Sequence, residues 1–348
     1  MSNQEINSKV NNSGKEAIIT GAADVADATT AIDVIELAKE IINGRRLKKG
    51  EDLSFFATCD KEALYKGADM IREHFMGDKI DLCAIINGRS GRCPEDCKYC
   101  AQSAHYHTSC EEYSFLSEDK ILESCKLHAD EGVDRFSIVT AGRALTGEEF
   151  EKSLSAYRRM RDESDIELCA SMGFLTKEQF IALKEAGVTS YHHNIETSRR
   201  HFPNICTTHT YDQKLATLKV LKEVGLYVCS GGIIGMGEDW DDRIDMALDL
   251  AEAEVDSIPI NALMPVPGTP LENQERLTDE EITRTIALFR YINPTADIRL
   301  AAGRALLHND GETAFKAGAS ATITGNMLTT AACATIRSDK ELIKKVRS

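Results

Sequence analysis

The chain of 348 residues is long enough for one large domain or two ordinary ones, with the composition of a globular protein. Its 56 acidic residues outweigh 41 basic ones, and the formal charge of −15 argues against bulk attraction to nucleic acid or anionic lipid. No apolar run is long enough to span a bilayer, and the opening MSNQEINSKVNNSGKEAIIT lacks the basic and apolar regions of a secretory signal.

A reducing cytoplasm is therefore the expected location. The 11 cysteines then read as metal ligands or buried thiols rather than disulfides. Residues 1–30, rich in Asn, Ser, Thr and Ala, read as a poorly ordered tail. Over residues 31–80 the pattern is helical. Ile32, Val34, Ile35, Ala38, Ile41 and Ile42 form one apolar stripe, and a second helix is expected over 61–74, both packing on the body of the domain beyond residue 80. Cys59 and Cys83 nearby read as isolated buried thiols.

From residue 81 short β-rich runs alternate with longer amphipathic ones. The strand candidates are DLCAIIN (81–87), RFSIVTA (135–141), IELCASM (166–172), SYHHNIE (190–196), YVCSGGI (227–233), SIPINAL (257–263), DIRLAAG (297–303) and ATITG (321–325). Several intervening helices end in Glu-Ala-Gly or Glu-Val-Gly, a stop followed by a tight turn. Eight such units over 81–348 predict an α/β fold, a (β/α)8 TIM-type barrel with an N-terminal helical extension and a C-terminal segment. The alternative is an open doubly wound sheet, but no Gly-rich dinucleotide fingerprint follows the first strand. In a barrel, active groups gather at the C-terminal ends of the strands.

The loop after the first strand is CPEDCKYC, in which Cys93, Cys97 and Cys100 follow C-x3-C-x2-C spacing. A zinc site would need His105 or His107 as its fourth ligand, since no fourth cysteine stands at finger or ribbon spacing. Three thiolates can instead hold three irons of a [4Fe–4S] cluster and leave the fourth open. The spacing, with Tyr99 before the last cysteine, resembles the radical S-adenosylmethionine superfamily. The resemblance implies that S-adenosylmethionine chelates the open iron and is cleaved to a 5′-deoxyadenosyl radical.

Six stretches in order, INGRSGRCPEDCKYCAQS, YHHNIETS, YVCSGGIIGMGE, IPINALMPVPGTPLE, IRLAAGR and GNMLTT, together resemble the biotin synthase family over residues 33–345. That resemblance implies a transferase of biotin biosynthesis, which inserts sulfur into dethiobiotin from a second iron–sulfur cluster, [2Fe–2S] in the family. Cys169 and Cys229 match two of its cysteine ligands, and Arg299 matches its arginine ligand. A protonated guanidinium has no free lone pair, so Arg299 reads either as ligand or as a hydrogen-bond partner offsetting cluster charge.

The third family cysteine, on strand two, is Ser137 here. Hydroxyl oxygen matches iron poorly in a thiolate-type site. Three readings remain open: Ser137 ligates as an alkoxide, a different cluster uses another ligand, or the site is weakly occupied. Cys206 and Cys333 are the spare thiols, placed after strands four and eight.

The strand-four run 191–197 alternates, so His192, Asn194 and Glu196 are expected to share one face. The resemblance implies ribose binding by Asn194 and Glu196, where the family often has Asp. It implies adenine beside Met264, the methionine moiety beside Gly231 and Gly232, and dethiobiotin against His192 and Asn261. His192 replaces a family asparagine. It also implies a flavodoxin- or ferredoxin-type electron donor, a source of iron and sulfur, and a homodimer. Two other readings carry their own tests. A methylornithine-forming mutase or a hydrogenase maturase would not need Cys169, Cys229 and Arg299 together. An iron–sulfur electron carrier would not need the adenosyl-binding groups.

Overall fold

The computed structural model describes residues 32–325 and 335–347. The tail expected over 1–30, Cys333 and nearly all of GNMLTT lie outside the described residues. Helices α1 (Val34–Ile42) and α2 (Lys61–Met76) come first. Next come β1 (Asp81–Arg89), α3 (Glu118–Asp130), β2 (Arg135–Thr140), α4 (Gly147–Glu163), β3 (Glu167–Ser171), α5 (Lys177–Glu185) and β4 (Val188–His192). The second half comprises α6 (Phe202–Ile205), α7 (Tyr211–Val224), β5 (Tyr227–Cys229), β6 (Gly232–Ile234), α8 (Trp240–Glu252), β7 (Ser257–Ala262) and α9 (Asp279–Ile292). It ends with β8 (Asp297–Leu300), α10 (Glu312–Phe315), β9 (Ala321–Ile323) and α11 (Ile336–Val346). None of these helices is long and apolar enough to cross a membrane.

Local chemistry fixes the helix starts. Thr176, Thr210, Asp239 and Thr278 each accept the N3 backbone N–H, while Gln179, Gln213, Asp242 and Glu281 reach back to the cap's own N–H. Such capping boxes satisfy donors that a helix end leaves free, and losing the cap residue costs about 1 kcal/mol. At its other end α7 stops on Gly225, whose φ of 73° is open to glycine.

Every strand pairing is parallel, and the sheet closes on itself. The short strands β5 and β6 are two halves of the fifth stave, both pairing with β7, so nine strands make an eight-stave (β/α)8 barrel. Alternation sorts the side chains. In β2, Phe136 and Ile138 are fully buried in the hydrophobic core, whereas Arg135, Ser137 and Val139 line the interior. The N-terminal helices lie against α9, where the Tyr291 hydroxyl donates to Val34 O at 2.9 Å and its ring meets Phe56 edge-on.

Several strands are shorter than their sequence pattern predicts, and two of these shape the site. The fifth breaks at Ser230 and Gly231, between β5 and β6. The fourth ends at His192, and Glu196 beyond it adopts a left-handed φ of 74°. The expected single face of His192, Asn194 and Glu196 therefore does not form. His192 and Asn194 line the barrel cavity, while Glu196 turns away from the alternation.

Candidate active site in the barrel

Cys93, Cys97 and Cys100 sit in the loop that leaves β1 at the barrel mouth, all partly exposed. The loop folds back on itself through Cys93 N to Gln102 O at 2.9 Å and Ala104 N to Cys93 O at 2.8 Å. Its two acidic residues anchor it to residues 207–209. Asp96 accepts from Thr207 N at 2.9 Å and Thr208 N at 3.1 Å. Glu95 accepts from Arg143 at 3.0 Å and pairs with His209 Nδ1 at 2.5 Å.

Cys206 Sγ lies 3.7 Å from Cys97 Sγ and 3.1 Å from Asp96 Oδ1. Cys206 follows α6, packs against the mouth loop and is not among the residues lining the interior cavity. Among the described residues, Cys97, Cys206 and His209 are the group of metal-ligating side chains close enough to share one ion. Neither His105 nor His107 belongs to it; both are exposed, and His105 Nε2 lies 2.9 Å from Pro94 O.

Tyr99 packs on Ile205, Met236 and Leu263, with the Glu196 carboxylate close enough to bear on its hydroxyl. Burial, then the Glu196, Cys97 and Cys100 charges, hold its pKa well above the usual phenol range. Lys214 faces the Glu196 carboxylate at 3.4 Å. A non-glycine residue with positive φ is a strained conformation held by its surroundings. Here Glu196 N donates to Gly231 O at 3.2 Å and Glu196 O accepts from Ile233 N at 2.8 Å.

The same segment explains two glycines. A Cβ on Gly231 would lie 2.1 Å from Pro259 O, and one on Gly232 would lie 2.4 Å from Glu196 O. Backbone packing alone demands glycine at both positions, before any ligand arrives. Gly231→Ala is expected to lower stability by roughly 1–3 kcal/mol through overpacking. Thermal unfolding checks this, and an unchanged Tm would mean that the strands separate freely there.

Two asparagines brace the break. Asn194 Oδ1 accepts from Gly231 N at 2.9 Å. Asn261 donates to Gly232 O at 3.0 Å and accepts from Ala302 N at 3.1 Å, which fixes its amide orientation. One N–H and one lone pair of Asn261 are left for a ligand. Met264 follows β7, half-buried.

Below the mouth lies a cavity of about 220 Å³, open toward His192, Asn194 and Asn261. Ser137 lines it as well, and deeper in stand Cys169, Cys229 and Arg299, together with Cys83 of β1. The sequence pattern leaves Cys83 as an isolated thiol; only barrel closure reveals its neighbours. Arg299 donates to Asp81 Oδ1 at 2.6 Å, and Arg135 shares the same carboxylate at 3.1 Å. Burial opposes the Arg299 charge, but Asp81, Cys83 and Cys229 outweigh it and raise its pKa. Burial pushes the Cys229 thiol up to about 12. His192 Nδ1 stands 3.3 Å from Cys229 Sγ, and burial, with the Lys214 and Arg299 charges, lowers its pKa to about 4.

A parallel (β/α)8 barrel with a three-cysteine loop after its first strand is the architecture of a radical S-adenosylmethionine enzyme. Residues 89–251 match the family model described as the Radical SAM superfamily, and residues 259–346 match the Biotin and Thiamin Synthesis associated domain. Among curated proteins, the chain is 58% identical over 315 residues to a biotin synthase of Alkaliphilus metalliredigens, covering 90% of this chain and 99% of that protein. It is 59% identical over 295 residues to one of Clostridium beijerinckii, covering 85% and 93%. The chain belongs to the biotin synthase family.

It is thus a sulfurtransferase acting by radical chemistry, and membership implies a [4Fe–4S] cluster and S-adenosylmethionine. Solved structures share the fold. Methylornithine synthase superposes with a TM-score of 0.75 at 18% identity, covering 89% of this chain and 95% of that one. A maturase of the [FeFe]-hydrogenase gives 0.73 at 17% identity, covering 92% and 75%. These are the two alternatives that the sequence raises, and at such identities they speak for the barrel alone.

Proposed function

We propose that the protein converts dethiobiotin to biotin in the barrel cavity, with Cys93, Cys97 and Cys100 holding the [4Fe–4S] cluster at its mouth. Three thiols on one loop, docked through Glu95 and Asp96, fit a cluster that leaves one iron free. Bound together, that cluster and S-adenosylmethionine supply a 5′-deoxyadenosyl radical. A cofactor-derived radical is needed because polar side chains cannot break two unactivated C–H bonds.

The chain's own residues do the placing. Glu196 and Asn194 take the ribose, Gly231 and Gly232 let backbone approach the methionine moiety, and Met264 and Tyr99 flank the adenosyl group. His192 and the unused N–H and lone pair of Asn261 hold the ureido ring of dethiobiotin. Cys169 and Cys229, with Arg299 beside them, would hold a second cluster, which would supply the sulfur. One observation carries this reading. The thiols Cys169 and Cys229 share a single cavity with His192, Asn194 and Asn261, so sulfur and substrate meet without a transfer path.

Electrons come from a flavodoxin- or ferredoxin-type carrier docking near the mouth, and the functional unit is a homodimer. Such carriers are usually acidic, so a local basic patch has to offset a chain charge of −15. The sulfur route is tested by reconstituting the protein with iron and isotopically heavy sulfide, then running one turnover in unlabelled buffer. Biotin carrying the heavy isotope is the expected product. Unlabelled biotin would place the sulfur source outside the protein.

A further inference from the structure

We infer that the third thiolate of the second cluster is Cys83 of β1, and that Ser137, which stands where the family carries a cysteine, is not a ligand. This rests on the reading that a second cluster occupies the cavity.

The strand registers decide which side chains share a level. Cys83 lies opposite Arg135 on β2, which lies opposite Glu167 on β3. Two residues further along β3, on the same face, is Cys169. Cys169 lies opposite Ser190, and Ser190 opposite Tyr227; two residues on is Cys229. Cys229 lies opposite Ser257 of β7, and Ser257 opposite Asp297; two residues on is Arg299. Arg299 lies opposite Ala321, and Ala321 opposite Asp81; two residues on, the circuit returns to Cys83.

Four equal advances close the loop with a shear of eight, the value for a TIM barrel, and alternate staves of such a barrel contribute one layer of four. Cys83, Cys169, Cys229 and Arg299 are one such layer. Ser137 lies opposite Cys169 and Ile85, so it belongs to the next layer toward the mouth, with His192, Pro259 and Ile323.

Three further observations point the same way. Interior barrel layers are ordinarily filled by bulky Val, Ile and Leu. Here three small thiols and an arginine leave a cavity between them. The Cys83 thiol is within electrostatic reach of Arg299, Cys169 and Cys229, so it faces the same centre as they do. The three are not among the groups close enough for a single ion, a spacing that suits a polynuclear cluster. Thiolate is also the softer donor, and softness favours iron–sulfur ligation over a serine hydroxyl. Arg299, backed by Asp81, offsets the negative charge that three thiolates and a cluster bring into a buried site.

The test is anaerobic reconstitution of the full chain with iron and sulfide, followed by metal and sulfide counts and Mössbauer spectra. The wild type, Cys83→Ala, Cys83→Ser and Ser137→Ala are compared, with reductive cleavage of S-adenosylmethionine as a gauge of the first cluster and the fold. Both Cys83 variants should lose the second cluster's iron, sulfide and spectral component while still cleaving S-adenosylmethionine. Ser137→Ala should keep that iron. Retention of the wild-type second cluster in a Cys83 variant that cleaves S-adenosylmethionine would overturn the assignment, as would its loss in Ser137→Ala. A wild type that binds iron only at the first site would instead overturn the two-cluster reading on which the assignment stands.

Discussion

Cys93→Ala, Cys97→Ala and Cys100→Ala should each reduce cleavage of S-adenosylmethionine to background while the iron of the deeper cluster stays detectable. The reason is spatial. The mouth loop is held by Glu95 and Asp96 against residues 207–209, whereas the deeper thiols belong to β1, β3 and β5 inside the barrel. Removing one thiolate exposes a second iron to solvent, and a cluster held by two ligands dissociates. The Cys97 variant is the most informative of the three, because Cys206 stands 3.7 Å from the sulfur removed. Residual cleavage in Cys97→Ala that vanishes in Cys97→Ala/Cys206→Ala would identify Cys206 as a substitute ligand. Assay of 5′-deoxyadenosine under anaerobic reduction reads all of these, and full cleavage in the Cys93 or Cys100 variant would remove the loop from the chemistry.

The second large effect is structural. Asp81 accepts from both Arg299 and Arg135 with its side chain almost fully buried, so Asp81→Asn leaves the Arg299 guanidinium inside the barrel without a carboxylate, while Arg135 keeps Glu167. Breaking a buried pair in this way costs about 3–5 kcal/mol, far more than loss of an exposed one. Thermal or denaturant unfolding should show that loss. Burial works against the Asp81 charge, but Arg299 and Arg135 win and hold its carboxyl below the usual carboxylate range. A depressed folded pKa contributes stability that is fully present above the unfolded value of about 3.9 and is lost as pH falls through the folded one. Wild-type stability should therefore fall on acidification below about pH 4 more steeply than that of Asp81→Asn. Equal stability of the two proteins near pH 7 would show that the pair contributes nothing net.

How much could be read in the sequence depends on how local each feature is. The barrel is legible because alternation in runs such as RFSIVTA and helix stops such as the Glu-Val-Gly ending at Gly225 act within a few residues. The mouth cysteines are legible because all three occupy one short loop. The deeper layer is different. Its members are separated by scores of residues and meet only when the strands close at a particular register. Cys169, Cys229 and Arg299 are marked by family resemblance, but Cys83 carries no local mark and reads as an ordinary buried thiol. Cys206 is as little marked: its position after the fourth strand does not say that the segment folds over the mouth loop. The end of β4 at His192 is set by the positive φ of Glu196 and its hydrogen bonds to the broken fifth stave, which no alternation pattern encodes.

The most direct test of the whole account is product formation by the anaerobically reconstituted protein supplied with S-adenosylmethionine, dethiobiotin and a low-potential reductant. Because two C–H bonds are broken by one radical each, about two 5′-deoxyadenosine molecules should appear for every biotin. 5′-Deoxyadenosine released without any biotin, from protein that holds both clusters, would contradict it.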